Sequence, residues 1–255
     1  MRHLISILLI LSTAIDVSAQ LIFTDSISEN EEIFSLSIQP EYDDSYFENL
    51  LLSVDPTALS SRRLTDDDYR EVAEELGIDV AAMKAVVEIE AGTSHKGFTP
   101  DGKPIINFDL SMFRIFARRR GIALAPYAKS HAVVFASANV RKYGSRQAAQ
   151  YARLDAAMTI DSITAIYGTF WGMFQIGGFN WQKCGASSPD DFVKRMSRSE
   201  REQLHMFAQF ITSCNLVRYL RSHNWSEFAR HYNGPGYARH SYHTRLARSY
   251  ARHSK

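Results

Sequence analysis

Two glutamates, Glu88 and Glu90, close an apolar run that begins at Val80. On a helix advancing about 100° per residue, Val80, Met83, Val86, Val87 and Glu90 share one stripe, with Glu90 between the two valines. Glu88 falls on another face beside Lys84, where an ion pair at i, i+4 spacing accounts for it without any chemistry. Glu90 points to the core side in the last turn. There the negative end of the helix dipole and the apolar surroundings both disfavour a charged carboxylate, so its pKa is expected to be raised. A carboxylic acid that keeps its proton near neutral pH is what glycoside cleavage needs to protonate a leaving oxygen. Gly92 supplies a bend that opens the helix end to a cleft; the alternative is a helix that frays at Gly92 and lets Glu90 reach water.

Other residues offer weaker chemistry. In Trp171-Gly172-Met173-Phe174-Gln175 a flat ring, a backbone without a side chain and an amide sit among apolar neighbours. Such a run can floor a sugar cleft, with Trp171 stacking on a sugar face and Gln175 holding an amide or hydroxyl. It reads equally as a buried helix with Trp171, Phe174 and Phe179 in the core, although a buried Gln175 then needs partners. Tyr232 ends the stripe Trp225, Phe228, Ala229, Tyr232, which turns its ring inward and brings its hydroxyl to the helix terminus, and Asn233 follows in the turn. That hydroxyl can orient an acid or a sugar N-acetyl group, or be an ordinary satisfied core tyrosine. Asp109 precedes Leu110, Met112, Phe113 and Phe116 and suits a helix cap. Asp155 and Asp161 are reserve carboxylates with the same ordinary explanation. The histidines His223, His231, His240, His243 and His253 show no HExxH or comparable spacing, so no metal is expected.

The elements that must position these residues are mostly helices. Thr65 and Asp68 form a capping box for a helix with Tyr69, Val72, Ala73 and Leu76 inward, ended by Gly77, and Asp79 caps the helix that carries Glu90. Gly97, Pro100, Asp101-Gly102 and Pro104 are turn chemistry, with a hairpin at Asp101-Gly102 and a short strand over 105–108. Ser199 with Glu202 and Asn224 with Glu227 are further capping boxes, ahead of the Leu204–Ile211 and Trp225–Tyr232 stripes; Gly234 and Pro235 stop the last helix. Strand-like alternation is scarce, and the expected fold class is mainly α with at most a small β-hairpin near the cleft.

Composition bounds the setting. Met1-Arg2-His3, an apolar stretch from Leu4 to Ile15 and the small residues before Gln20 make residues 1–19 a secretory signal peptide, too short to span a bilayer. An exported protein, periplasmic or extracellular, is expected, without stable membrane insertion after cleavage. Residues 20–63 hold many acids and Pro40 and Pro56, and read as an acidic linker or weakly ordered leader before a domain at 64–255. From Leu216 onward the balance is strongly basic, so a net charge of +1 hides two opposed ends. The basic end is either a solvated helical surface or an attractor of an anionic polymer, and export makes nucleic acid a poor candidate for that polymer. The Arg118-Arg119-Arg120 run is first a basic helix end. Cys184 and Cys214 form a disulfide or stay free thiols.

Three segments carry a resemblance. Ala85–Gly92 with Gly97–Asp109, Phe170–Ile176 with Gly178–Trp181, and Phe228–Ala238 resemble three motifs of the phage-endolysin-type N-acetylmuramidases, which have a lysozyme-like fold. The similarity runs from about Leu64 to Arg252. It implies a peptidoglycan hydrolase that cleaves the β-1,4 bond between N-acetylmuramic acid and N-acetylglucosamine, acts on glycan strands as a monomer and needs no cofactor. It places the general acid on the second glutamate of the first motif, here Glu90, and supports Tyr232 beside it. It also implies an acidic residue after Phe108, usually Glu and here Asp109, so Asp109 is either a cap or a second catalytic carboxylate. A separation of about 5 Å between the two carboxyls suits a nucleophile, and roughly 6.5 to 9.5 Å leaves room for a water. Two residues more than the family commonly has lie between Glu90 and Phe98. A lytic transglycosylase acting with a lone glutamate, and a catalytically silent wall-binding protein, are the rival readings.

Overall fold

The computed structural model describes residues 63–91, 96–233, 237–238 and 241–255. The signal peptide, nearly all of the acidic leader, Gly92 and the Gly234-Pro235 stop fall outside them. Helices dominate. In chain order they are α1 (Asp66–Leu76), α2 (Val80–Glu90), α3 (Leu110–Arg119), α4 (Ala132–Phe135), α5 (Val140–Tyr143), α6 (Arg146–Met158) and α7 (Ser162–Tyr167). After a pair of strands come α8 (Pro189–Met196), α9 (Glu200–Ser213), α10 (Val217–Arg221), α11 (Trp225–Asn233) and α12 (Tyr242–His253). The strands β1 (Ile106–Phe108), β2 (Thr169–Trp171) and β3 (Ile176–Gly177) form one antiparallel sheet in the order β1-β2-β3.

Local chemistry sets the helix starts. Thr65 and Asp68 exchange both bonds of a capping box, and Gly77 ends α1 in the left-handed region at φ 59°. Asp79 accepts from the Ala82 N–H to start α2, whose Ala82, Met83, Ala85, Val86 and Val87 are buried. Ser199 caps α9 through the Glu202 N–H, but the Glu202 side chain turns away to Arg195 at 2.5 Å. Glu227 likewise leaves its expected box for Arg230, so both boxes are half-formed.

The sheet has one strand more than a hairpin, and it replaces the helix that the Trp171–Gln175 run also allowed. Trp171 pairs with Ile106 and, on its other side, with Ile176. A run of about five residues contains no periodicity that separates the two outcomes; β1, more than sixty residues earlier, decides it. The Asp101-Gly102 turn forms as expected, with the Gly102 N–H donating to Thr99 and an isolated bridge joining Phe98 to Pro104. One apolar cluster runs from Val72 to Leu246 and includes Trp171, Phe174, Phe192, Phe207, Phe210 and Phe228. Full burial of one such side chain stabilises the fold by roughly 1.5–3 kcal/mol. Two helices then frame the site: α12 packs lengthwise on α2, and α11 packs against α12.

Candidate active site

Glu90 is the last residue of α2, held at the edge of that core by Val86 and Val87, both 0 % exposed. It keeps a partly accessible face, yet its Oε1 is enclosed and has no hydrogen-bond partner. Burial pushes its pKa up to about 8, against the opposing pull of the Arg245 guanidinium and, after it, of the Tyr232 hydroxyl. The carboxyl is therefore largely protonated at neutral pH.

Glu88, two residues earlier, has the opposite chemistry. It accepts from Ser249 Oγ at 2.8 Å, binds His253 at 2.8 Å and pairs with Arg252, all on α12. Burial raises its carboxyl, but these bonds together outweigh burial and hold it below the usual range. The expected Lys84–Glu88 pair is absent, because Lys84 reaches Asp66 at 2.7 Å. Glu88 thus fastens α12 to α2 rather than facing solvent.

Tyr232 stands at the end of α11 with 2 % exposure. Its ring stacks on Phe228 at 5.5 Å and meets the edges of Phe207 and Phe210 at 5.9 and 6.3 Å. Phe207 in turn stacks on Phe174 of the β2–β3 turn at 4.3 Å, so an aromatic chain links the hairpin to the tyrosine. Burial holds the Tyr232 hydroxyl well above its ordinary pKa, and the nearby Glu90 adds to this, so it remains a proton-bearing donor. The hydroxyl is enclosed and unpartnered, as are Asn233 Nδ2, the Tyr242 hydroxyl and His243 Nδ1. These orphaned groups belong to the end of α11 and the start of α12, the helices whose Tyr232 and Arg245 act on Glu90.

The other expected residues lie differently. Trp171 does not floor a cleft: it is 0 % exposed, and its indole N–H donates to the Ile166 carbonyl at 3.3 Å, which makes it core. Its place in the middle strand of the sheet leaves neither ring face for a sugar. Gln175 sits in the hairpin turn at φ 48° and is 8 % exposed; its amide nitrogen donates to the Gly172 carbonyl at 2.8 Å and the Ile105 carbonyl at 3.4 Å. That nitrogen is committed to backbone, so Gln175 gives the turn its shape rather than a donor to a ligand. Asp109 caps α3 through the Met112 N–H at 2.9 Å, and its charge sustains that of the buried Arg153 against the desolvation that lowers the guanidinium. Its Oδ2 makes no hydrogen bond among the described residues. Asp161 is the cap of α7 and the partner of Arg120, Asp155 is exposed on α6, and Cys184 and Cys214 are free thiols. Among the described residues no group of three or more His, Cys, Asp or Glu side chains is arranged to hold a metal ion.

The sequence model of the N-acetylmuramidase family matches residues 79–254. The chain belongs to the N-acetylmuramidase family. The crystal structure of Burkholderia AP3 phage endolysin is similar at 36% identity over 78% of this chain and 73% of that chain, with a TM-score of 0.66. No curated protein matches. The protein is accordingly a glycoside hydrolase of peptidoglycan with a lysozyme-like, mainly helical fold.

Two residues of this muramidase that carried no expected role brace the β2–β3 turn. Gln203, 0 % exposed on α9, accepts from the Met173 N–H at 2.8 Å and donates to the carbonyls of Met196 at 2.8 Å and Gly97 at 3.4 Å. Glu200, one turn earlier, accepts from the N–H groups of Gly97 at 2.9 Å and Leu64 at 3.1 Å. Together they tie Gly97 to the β2–β3 turn. A Cβ on Gly97 or Gly172 would meet the Gln203 amide at 2.4 or 2.8 Å, and Gly172 is also at φ 71°, so both positions require glycine. The available signal was two polar residues at i and i+3 on the apolar face that Phe207 and Phe210 continue. Arg245, the cation that opposes the burial of Glu90, carried no signal beyond membership of a basic helix.

Proposed function

We propose that this protein hydrolyses the β-1,4 bond between N-acetylmuramic acid and N-acetylglucosamine, with Glu90 as general acid. One observation carries the reading: a single carboxyl at the end of α2, enclosed, unpaired and held at about pKa 8 beside the Tyr232 hydroxyl. A neutral carboxyl placed there delivers its proton to the leaving glycosidic oxygen as the carbon–oxygen bond breaks. The orphaned donors Tyr232, Asn233 and Tyr242 suit the acceptors of a sugar, an acetamido carbonyl or ring hydroxyls. Each such buried group costs about 1–3 kcal/mol while unsatisfied, which a bound saccharide offsets. Asp109 is the proposed second carboxylate. Its Oδ1 is engaged as a cap, and Oδ2 is the atom left to accept a proton from the attacking water.

Export through residues 1–19 and action as a monomer on glycan strands, without a cofactor, complete the proposal. A specific observation favours one alternative: Asp109 faces Arg153 and a helix N-terminus, whereas the groups that act on Glu90 are the Arg245 cation and the neutral Tyr232 hydroxyl. A glutamate acting without a partner carboxylate is the arrangement of a lytic transglycosylase. Mass spectrometry of muropeptides released from purified walls separates the two. Reducing N-acetylmuramic acid ends support the hydrolase, and anhydro ends as the main product overturn it. Loss of turbidity clearance in Glu90→Gln, with wall binding retained, rejects a purely binding role.

A further inference from the structure

Between Leu110 and Leu154 the chain carries Lys or Arg at nine positions and Asp or Glu at none. This stretch is most of one lobe: α4 and α5 both pack on α6 as its outer layer, and their main contacts are not with α2, α11 or α12. Lys129, Arg141, Lys142 and Arg146 are exposed, and none forms an ion pair among the described residues. The exposed positions between them are small, Ala132 and Ala136 alternating with Ser130, Ser137, Asn139 and Ser145. Val140, 47 % exposed, is the large hydrophobic residue that stands out from the surface, and it directly precedes Arg141 and Lys142. A solvated basic surface ordinarily intersperses acids among its cations and keeps branched apolar residues inward. Neither holds here.

We propose that this α4–α5 surface docks on a membrane rich in anionic phospholipid headgroups. Guanidinium and ammonium groups match the phosphate esters of such a layer, and an apolar side chain that directly precedes two cations enters the headgroup and acyl boundary, as on interfacial helices. A soluble anionic wall polymer would satisfy the cations and leave Val140 in water, so the exposed valine selects the bilayer. No helix among the described residues is long and apolar enough to cross a membrane, and the contact is peripheral. Docking through α4–α5 leaves Glu90 on other elements, so a hydrolase held at a bilayer keeps its cleft available to adjoining wall. This inference stands independently of which product the muramidase releases.

The test is co-sedimentation of the full chain with vesicles of phosphatidylglycerol and phosphatidylcholine, against vesicles of phosphatidylcholine alone. Binding is expected only to the former and is expected to weaken at high salt. Each cation near an anionic surface contributes roughly fivefold in partition coefficient. Arg141→Gln/Lys142→Gln should therefore bind about 25-fold more weakly, and Arg141→Glu/Lys142→Glu more weakly still, with wall clearance and far-UV circular dichroism unchanged. Val140→Ser should weaken vesicle binding without altering retention on a soluble polyphosphate. Equal binding to neutral and anionic vesicles, full binding by the double variants, or binding to polyphosphate with none to vesicles would each overturn the proposal.

Discussion

Replacing Glu90 by Gln should stabilise the protein by an amount that grows with pH. In the folded chain the Glu90 carboxyl titrates at about 8, against an ordinary value of 4.5. Its folded pKa lies above its unfolded one, so the folded state binds the proton more tightly. Stability is then greatest below pH 4.5, falls as pH rises toward 8, and levels off beyond it. The slope between those limits is about 1.4 kcal/mol per pH unit, and by pH 7 the enclosed carboxyl has removed about 3 kcal/mol of stability. Gln has nearly the same shape and does not titrate. Urea unfolding of both proteins at pH 5, 6, 7 and 8, followed by tryptophan fluorescence, should show the Gln variant gaining on the wild type by about 3 to 4 kcal/mol across the series. Over the same range the wild-type kcat/KM should fall with an alkaline limb near pH 8, and Glu90→Gln should lose about 10²- to 10⁴-fold in rate. A stability gap constant to within about 1 kcal/mol over these pH values would show that the carboxyl is already ionised at pH 5, and the proton-donor argument would fail with it.

Tyr232→Phe removes a hydroxyl that lowers the Glu90 pKa, so the alkaline limb of kcat/KM should move up, and a limb at its wild-type position would show that the hydroxyl does not act on the acid. Arg245→Ala removes the stronger opposing influence and should move the same limb further, a limb that stays put being evidence that the guanidinium does not act on the acid. Asp109→Asn keeps a good helix cap but removes the charge that sustains the buried Arg153, so the melting temperature should fall while hydrolysis falls about 10²-fold or more; unchanged product yield would remove Asp109 from the water step. Gln203→Leu strands the Met173 N–H and the Met196 and Gly97 carbonyls in the core and should cost about 3 kcal/mol in urea unfolding, with a fall in kcat, since the β2–β3 turn loosens with it.

What the sequence revealed and what it hid divide along the range of the interactions concerned. Thr65, Asp79 and Ser199 announce their helices because a cap bonds to an N–H two or three residues away. Glu90 could be told from Glu88 because the face of a helix is fixed by position alone, and a carboxyl between two buried valines is a local pattern with a definite electrostatic result. The same local reasoning misassigned the partner of Glu88: Lys84 lies one turn away, but α12 offers Ser249, Arg252 and His253 together from more than 160 residues further on. Trp171 shows the converse problem. Its type suits a sugar or a core equally, and only the pairing of β1 with β2 encloses it. Gln203 was hardest to see, because a buried amide is explained by the backbone groups it satisfies, and Gly97, Met173 and Met196 lie on three separate segments. The proposed proton donor of this muramidase is therefore written in one helix, whereas the bracing of the β2–β3 turn is specified by polar groups whose partners exist only after folding. Substitutions along α2 should act on the pKa of the acid, and substitutions at Gln203 or Gly172 should act on geometry at unchanged pKa, which a shift of the pH limb against a fall of its plateau distinguishes.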